Sequence, residues 1–359
     1  MRLFTAGPVA CFPEVLEVMA SQMFSHRSKE YQELHMETVE LLMDFLETRQ
    51  TVLLFPSSGT GFMESSIRCG VSPRGRVLVT IIGSFGKRYA EVVETNNRIS
   101  VKLEFDLGEP VDTEALKQAL DENPDVEAVT ITYNETSTGV LNPLPELAKI
   151  VKKYDKLLFV DAVSAMGAAD IKVDSWDIDM VFSSSQKAFG VPPGLAFAAV
   201  SDRLLEISKE MPGKGWYFDL NLYKTFQDEK KSTPSTPPIP QIMGLNVVLK
   251  MIKEMGKQKW LRMYSERARK IRSGVMELGL DILARKGFES PTITVVFAPS
   301  GCSGLEIYRR MRDKGFELAK GYGKLKETTF RIGHMGYITD EDIEAMFKAL
   351  GDVIKEIKK

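Results

Sequence analysis

Residues 157–164 read L-L-F-V-D-A-V-S, an apolar run that ends in a single acid, Asp161. A short apolar run with branched residues is typical of a β-strand buried on both faces of a parallel sheet. Asp161 then stands at the carboxyl end of that strand, where open α/β sheets bind their ligands. By itself this acid also fits a helix N-cap or a solvated loop, so its role depends on the segments around it.

Similar strand segments lie on both sides of residues 157–161. The predicted strands are Thr51–Phe55, Arg76–Ile82, Val101–Phe105, Glu127–Tyr133, Leu157–Asp161, Asp179–Ser183 and Leu195–Val200. Amphipathic patterns separate them, for example Met36–Leu46, whose apolar residues recur at helical spacing. Strands that alternate with helices in this way predict an α/β fold, with a mostly parallel seven-stranded sheet covered on both faces.

The composition of the chain changes near residue 232. A charged run, Lys224–Lys231, which we expect to be solvated, is followed by S-T-P-S-T-P-P-I-P at residues 232–240. Four prolines in nine residues predict a stiff, extended segment that is not helical. Residues 232–240 therefore mark the predicted end of the first large unit.

A smaller α+β unit is predicted after this segment. It contains two long helices, two strands and a last helix, at Gln241–Met255, Lys259–Leu278, Ile293–Phe297, Thr329–Ile332 and near Asp340–Ile357. We therefore divide the chain into an N-terminal extended arm (1–13), a large domain (14–240), and linking helices with a small C-terminal α+β domain (241–359).

Composition excludes several classes of function. The 359 residues carry a net charge of −2 and no basic block, which argues against a nucleic-acid or membrane-surface partner. Three cysteines and three histidines are widely spread, so we predict neither a disulfide framework nor a metal site. No apolar run approaches the roughly 18 residues of a membrane span, and the first residues contain no apolar signal core. We therefore expect a cytoplasmic protein.

Two further segments follow predicted strands and are rich in small residues. Residues 57–64, S-S-G-T-G-F-M-E, form a Gly-rich turn before a helix, where backbone N–H groups can bind a phosphate. Residues 183–190, S-S-S-Q-K-A-F-G, place Lys187 among small residues and before P-P-G at 192–194. Partial burial there lowers the pKa of a lysine, as a nucleophilic or Schiff-base lysine requires.

These segments together resemble the fold-type I enzymes that use pyridoxal 5'-phosphate. More closely, the chain resembles the class-V aminotransferases of the serine–pyruvate, alanine–glyoxylate and serine–glyoxylate group. The resemblance extends over essentially the whole chain. Its most specific motifs are residues 184–194, V-D-A-V-S at 160–164, and N-E-T-S-T-G at 134–139.

The resemblance implies roles for four residues around the cofactor ring. Lys187 would hold the cofactor as a Schiff base and move a proton during the reaction. Asp161 would pair with the pyridinium nitrogen and keep it protonated. Phe85, in G-S-F-G at 83–86, would stack on the ring, and Val163 would pack against its opposite face.

The resemblance also implies which residues bind the phosphate of the cofactor. The backbone of Thr60-Gly61-Phe62 and the side chain of Gln186 would bind it, with only the backbone of Phe62 carried over. Thr233 and Thr236 match positions that reach the phosphate of the neighbouring subunit. A homodimer with phosphate contacts across its interface is therefore implied.

Two more residues complete the implied site. Thr136 matches the residue that hydrogen-bonds near the phenolic oxygen of the cofactor. Arg331, in T-F-R-I-G at 329–333, matches the arginine that binds the α-carboxylate of the substrate, a task suited to a bidentate guanidinium. No clear second arginine serves a distal carboxylate, so small amino acids are favoured.

The implied function is a ping-pong transamination between a small amino acid, serine or alanine, and a 2-oxo acid, glyoxylate or pyruvate. Another donor such as aspartate is one alternative. A second is a cysteine desulfurase or related lyase that uses Cys302, although such enzymes resemble one another in having histidines where this chain has Gln186 and Phe85. A third is a binding module without cofactor, which the retained lysine, aspartate and arginine oppose.

Overall fold

The computed structural model of the protein describes residues 1–357. Its strands are β1 (Arg2–Leu3), β2 (Thr51–Phe55), β3 (Arg76–Ile81), β4 (Ile99–Glu104), β5 (Val126–Thr132), β6 (Asn134–Glu135), β7 (Val140–Leu141), β8 (Leu157–Asp161), β9 (Met180–Ser184), β10 (Ala196–Val200), β11 (Ile293–Phe297), β12 (Phe316–Glu317), β13 (Ala319–Lys320) and β14 (Thr329–Gly333).

The helices are α1 (Pro13–Met19), α2 (Lys29–Leu46), α3 (Gly59–Gly70), α4 (Ser84–Thr95), α5 (Thr113–Glu122), α6 (Leu144–Lys153), α7 (Asp202–Glu210), α8 (Leu220–Lys230), α9 (Ile239–Met255), α10 (Lys257–Glu277), α11 (Gly304–Asp313) and α12 (Asp340–Ile357). In residues 1–357, no helix is long and apolar enough to cross a bilayer.

The central sheet has seven strands in the order β2-β10-β9-β8-β5-β3-β4. Only β10 runs against its neighbours, and all other pairs are parallel. The predicted bounds of β2 and β8 are confirmed to the residue. The edge strand β4 begins two residues before the predicted start, because Ile99 and Ser100 pair with β3 while remaining partly exposed.

Each face of the sheet packs against its own layer of helices. Residues alternate between the faces: Leu158 and Val160 of β8 lie in the core under α1, α2, α5, α6, α9 and the start of α10. Leu157 and Phe159 lie in the opposite core, under α3, α4, α7 and α8. Burial on both faces explains why the strands read as continuous apolar runs.

A third core lies in the C-terminal part of the chain. It joins the antiparallel sheet β11-β14-β13 to α11, α12 and the second half of α10. Helix α10 connects this core to the first one, because Trp260 is buried in the first core and Ile271 in the third. Near the N-terminus, β1 pairs in parallel with β12, and Phe4 is buried in the third core.

The proline-rich segment is not helical up to Pro238, as predicted, but it bends at residues 232, 234 and 235 instead of running fully extended. The prediction is wrong for its last two residues, because α9 begins at Ile239 with Pro240 in its first turn. A proline is tolerated there because the first N–H groups of a helix have no intrahelical acceptor. The charged run before it forms most of α8, and its long side chains are mainly exposed.

Candidate active site

The carboxyl ends of the parallel strands carry the predicted site residues to one edge of the central sheet. Asp161 ends β8, and Lys187 follows β9 by three residues. The turn after β2 begins α3, and Phe85 lies at the start of α4, which follows β3. Thr136 follows β5 through the short strand β6. A ligand at this edge could therefore contact residues from five separate segments.

Lys187 is buried, with 8% of its surface exposed. Its Nζ donates a hydrogen bond to the carbonyl oxygen of Ala6, in the N-terminal arm. Burial lowers the pKa of Lys187 to about 8, and the positive charge of Arg331 acts in the same direction, while Asp161 opposes it. A lysine with this pKa has far more neutral, nucleophilic amine near neutral pH than an exposed one.

Asp161 is buried at the end of β8, and its Oδ1 accepts a 2.9 Å hydrogen bond from the backbone N–H of Val163. Burial raises the pKa of Asp161 to about 7. The negative charge of Glu135 also raises it, whereas Lys187 and Arg88 lower it. The carboxylate therefore lacks a full counter-charge, and a cationic group placed beside it would favour its ionised form.

The Gly-rich turn after β2 brings the backbone close to Val163. A Cβ on Gly59 would lie 2.2 Å from Cγ2 of Val163, and a Cβ on Gly61 would lie 2.2 Å from Oγ of Ser57. The N-cap residue Ser58 makes no side-chain hydrogen bond to the first turn of α3. The start of α3 therefore lies where only glycine allows such close approach, and the first N–H groups of a helix lack α-helical acceptors. The N–H of Gly61 donates a 2.9 Å hydrogen bond to the carbonyl oxygen of Ser58.

Phe62 points away from this turn into the core. Its side chain is completely buried, and its ring stacks on Phe55 with centroids 4.1 Å apart. Only its backbone N–H can face a ligand at the start of α3. Thr60, two residues before Phe62, is half-buried.

Two buried polar atoms near Lys187 have no hydrogen-bond partner in residues 1–357. They are Oε1 of Gln186 and Oγ of Ser184. Buried polar atoms are normally satisfied, so unpaired ones next to Lys187 indicate a place for a polar ligand group. Both atoms lie in or directly after β9, in the segment that carries the lysine.

Glu135 is a buried acid in the N-E-T-S-T-G motif at 134–139, and no role was predicted for it. Its carboxylate accepts hydrogen bonds from the backbone N–H groups of Phe85 (2.9 Å), Gly86 (3.1 Å) and Ser137 (3.0 Å), and from Oγ of Ser137 (2.6 Å). Burial raises the pKa of Glu135, and these hydrogen bonds lower it in part. Glu135 thus fixes the start of α4 and the backbone of Phe85, because the N-cap Gly83 has no side chain to do so.

Arg331 lies in β14, the central strand of the C-terminal sheet, and is buried. Its Nε donates to the carbonyl oxygen of Lys320 (2.8 Å) and its Nη1 to that of Thr136 (2.9 Å). Burial lowers the pKa of Arg331 to about 10, so it remains cationic at neutral pH. Thr136 itself donates a 2.8 Å hydrogen bond from Oγ1 to Oγ of Ser164. The strand β14 thus brings a cation to the edge of the central sheet.

Thr233 and Thr236 lie apart from these contacts. Thr233 is buried, and its Oγ1 donates a 2.7 Å hydrogen bond to the carbonyl oxygen of Ser235. It lines a cavity of about 220 Å³ together with His26 and Arg27. Thr236 is exposed. Thr233 thus lies beside the loop that joins α1 and α2.

Cys302 lies before α11 in the C-terminal part of the chain and is partly buried. Its Sγ is 3.6 Å from Oε2 of Glu306. Burial raises the pKa of the Cys302 thiol, and the negative charge of Glu306 raises it further. These surroundings favour the thiol over the thiolate, whereas nucleophilic cysteines are found in electropositive surroundings.

Fold and site together define an aminotransferase. Residues 3–346 match the family model described as "Aminotransferase class-V". The chain belongs to this family, which confirms the resemblance, the enzyme class and the α/β, fold-type I architecture predicted from the sequence.

Three known proteins illustrate the similarity. An uncharacterized aminotransferase of Methanocaldococcus jannaschii is 34% identical over 99% of this chain and 93% of its own length. The serine–glyoxylate aminotransferase of Arabidopsis thaliana is 31% identical, over 99% of this chain and 90% of its own. The solved structure of a subgroup IV aspartate aminotransferase from Thermus thermophilus has a TM-score of 0.92 and 26% identity, and covers 99% of this chain and 100% of its own.

Proposed function

We propose that the protein transfers an amino group from a small amino acid, serine or alanine, to glyoxylate or pyruvate, with pyridoxal 5'-phosphate as its cofactor. The observation that carries this proposal is the buried pair Lys187 and Asp161 at the carboxyl edge of the sheet, with Arg331 brought to them by a separate strand. Family membership supports the reaction class. The named substrates of the Arabidopsis relative, serine and glyoxylate, support the choice of substrates.

The residues at the sheet edge fit this cofactor. The aldehyde needs a lysine with an accessible neutral amine, and burial gives Lys187 a lowered pKa. The ring nitrogen needs an acid, and Asp161 lacks a full counter-charge. The phosphate needs N–H donors and small residues, which the turn around Gly59 and Gly61 provides.

When bound, pyridoxal 5'-phosphate supplies an electron sink that no side chain provides. The protein supplies the groups around it. Lys187 would hold the cofactor covalently and, once released from it, would take up a proton from Cα of the amino acid. Asp161 holds a proton on the ring nitrogen by pairing with it in its ionised form. Phe85 and Val163 form the apolar surfaces on the two sides of the ring.

Arg331 binds the α-carboxylate of donor and acceptor alike. Its Nε and Nη1 are held by carbonyl oxygens, so the guanidinium keeps its orientation while Nη2 stays available. Because every amino acid and every 2-oxo acid has the same carboxylate next to the reacting carbon, one arginine serves both half-reactions.

The phosphate would be bound by the backbone of Thr60, Gly61 and Phe62 and by Gln186. In a homodimer, Thr233 and Thr236 of the second copy would reach it. Within one chain, Thr233 contacts Ser235 and lines a cavity with His26 and Arg27 rather than with Lys187, which agrees with a role in a second copy.

The test is the Lys187→Ala variant. The wild-type protein, incubated with the cofactor, should transfer the amino group of serine or alanine to glyoxylate, and borohydride should fix the cofactor to the peptide that contains Lys187. The variant should lose both properties. Lys149→Ala, a change of an exposed lysine on α6, should lose neither. Cofactor fixed to another lysine, or transfer by the variant at the wild-type rate, would refute the proposal.

A further inference from the structure

Arg88 is a half-buried cation without an acidic partner. It lies one turn after Phe85 on α4, and its Cζ is 4.7 Å from the centroid of the Phe85 ring. Within residues 1–357, no carboxylate forms an ion pair with it, whereas Arg68 and Arg76, which are also half-buried, each have one. A partly desolvated cation that stays unpaired is costly unless an anion binds to it.

Tyr322 connects Arg88 to the carboxylate-binding arginine. Its ring stacks on Phe85 with centroids 6.1 Å apart, and Cζ of Arg331 lies 5.5 Å from the centroid of the same ring. Its hydroxyl is 3.5 Å from Nη2 of Arg88, at the limit of a hydrogen bond. Both guanidinium groups therefore lie close to one tyrosine, which is itself 39% exposed.

The charge of Arg88 also reaches the reacting groups. It lowers the pKa of Lys187 and that of Asp161, so the guanidinium is close enough to act on both. Arg331 acts on Lys187 as well. Two cations therefore act on Lys187, and only one of them is needed for the α-carboxylate.

We propose that Arg88 and the hydroxyl of Tyr322 form a distal subsite that binds the side-chain carboxylate of an acidic amino donor, while Arg331 binds its α-carboxylate. This inference rests on the proposed function and adds a class of donor to it. The sequence alone shows no clear second arginine and so favours small donors. In the fold, Arg88 on α4 lies next to Tyr322, in the segment between β13 and β14.

Isosteric donor pairs test the subsite. With glyoxylate as acceptor, we expect kcat/KM for L-aspartate to exceed that for L-asparagine by about tenfold or more, as for hydrogen bonds to a charged group. L-Glutamate and L-glutamine provide a second pair that differs only in charge. Succinate should inhibit competitively and more strongly than its monoamide.

Two variants locate the effect. Arg88→Gln should reduce the aspartate-to-asparagine ratio to near one and abolish the preference for succinate. Tyr322→Phe should reduce the ratio by a smaller factor, because the cation remains. Lys87→Gln, a loss of the neighbouring exposed charge on the same helix, should leave the ratio as in the wild type. If Arg88→Gln does not fold, Arg88→Lys keeps the charge without the fork and should give an intermediate ratio.

Two results would overturn the inference. One is an aspartate-to-asparagine ratio near one in the wild type, with alanine or serine still transaminated, which would leave the proposed function intact. The other is an unchanged ratio and unchanged succinate inhibition in Arg88→Gln. If no amino acid reacts at all, the proposed function itself fails, so the two failures are distinguishable.

Discussion

Nη1 of Arg331 donates a 2.9 Å hydrogen bond to the carbonyl oxygen of Thr136. The donor belongs to the C-terminal sheet, and the acceptor follows the central strand β5. This bond joins two separately built parts of the molecule at the point where the substrate is proposed to bind. Because this bond occupies one N–H donor of the Arg331 guanidinium, a substrate carboxylate would bind to its remaining N–H groups.

Arg331→Lys should weaken the binding of both substrates. A lysine keeps the charge but cannot bind Lys320, Thr136 and a carboxylate in one plane. We expect kcat/KM to fall for donor and acceptor by the equivalent of about 1.5–3 kcal/mol, with cofactor still bound. Steady-state kinetics with each substrate varied in turn should still give parallel lines. A loss confined to the donor would show that one arginine does not serve both half-reactions.

The cofactor-free protein should bind pyridoxal 5'-phosphate with a rate that depends on the pKa of Lys187. Only the neutral amine attacks the aldehyde, and its pKa is lowered to about 8. The association rate, followed by absorbance, should rise with pH and level off above about pH 8. In Arg331→Gln the midpoint should move to higher pH, because one cause of the lowered pKa is removed. An unchanged midpoint would show that burial alone sets it.

Asp161→Asn should lower the transamination rate by orders of magnitude and leave the fold nearly intact. An amide cannot hold a proton on the ring nitrogen, so the electron sink weakens. Circular dichroism provides the control for folding. A rate close to that of the wild type would show that Asp161 has only a structural role.

The same variant tests the raised pKa of Asp161 in the cofactor-free protein. Its folded pKa is about 7, above the roughly 3.9 of an unfolded aspartate. The folded state thus binds the proton of Asp161 more tightly than the unfolded state does. This contribution to stability is complete below about pH 4 and is lost as the pH rises to about 7. The difference in melting temperature between the wild type and Asp161→Asn should therefore change in disfavour of the wild type as the pH rises from about 4 to about 7.

Glu135→Gln should destabilise the protein and loosen the start of α4. The amide has one oxygen instead of two and directs N–H groups at the N–H groups of Phe85 and Gly86. We expect a loss of about 1–3 kcal/mol, the cost of buried unpaired polar groups. Denaturant unfolding monitors this loss, with Glu91→Gln, an exposed change on the same helix, as the control. Equal stability of both variants would contradict the role given to Glu135.

The sequence predicted the elements better than the contacts between them. Strands such as β2 and β8 could be located to the residue because burial on both faces leaves continuous apolar runs. The positions of Asp161 and Lys187 followed from the rule that sites lie at the carboxyl ends of such strands.

Contacts between distant segments left no pattern in the sequence. Arg88 and Tyr322 are separated by 234 positions, and each reads as a routine polar residue in its own segment. Glu135 could have been noticed as an acid within a short buried motif. Two of its four donors belong to Ser137 in the same turn, but the other two come from the distant start of α4. Such partners depend on the packing of layers, which a local pattern does not encode.

The N-terminal arm has a consequence for the order in which the protein folds. β1 pairs with β12, and the carbonyl oxygen of Ala6 accepts the hydrogen bond from Lys187. Arg2 and Leu3 therefore cannot pair until Phe316 and Glu317, which follow them by a long stretch of chain, have been synthesised. Contacts of such large sequence separation form slowly, so the surroundings of the lysine should be completed only after most of the chain has been made.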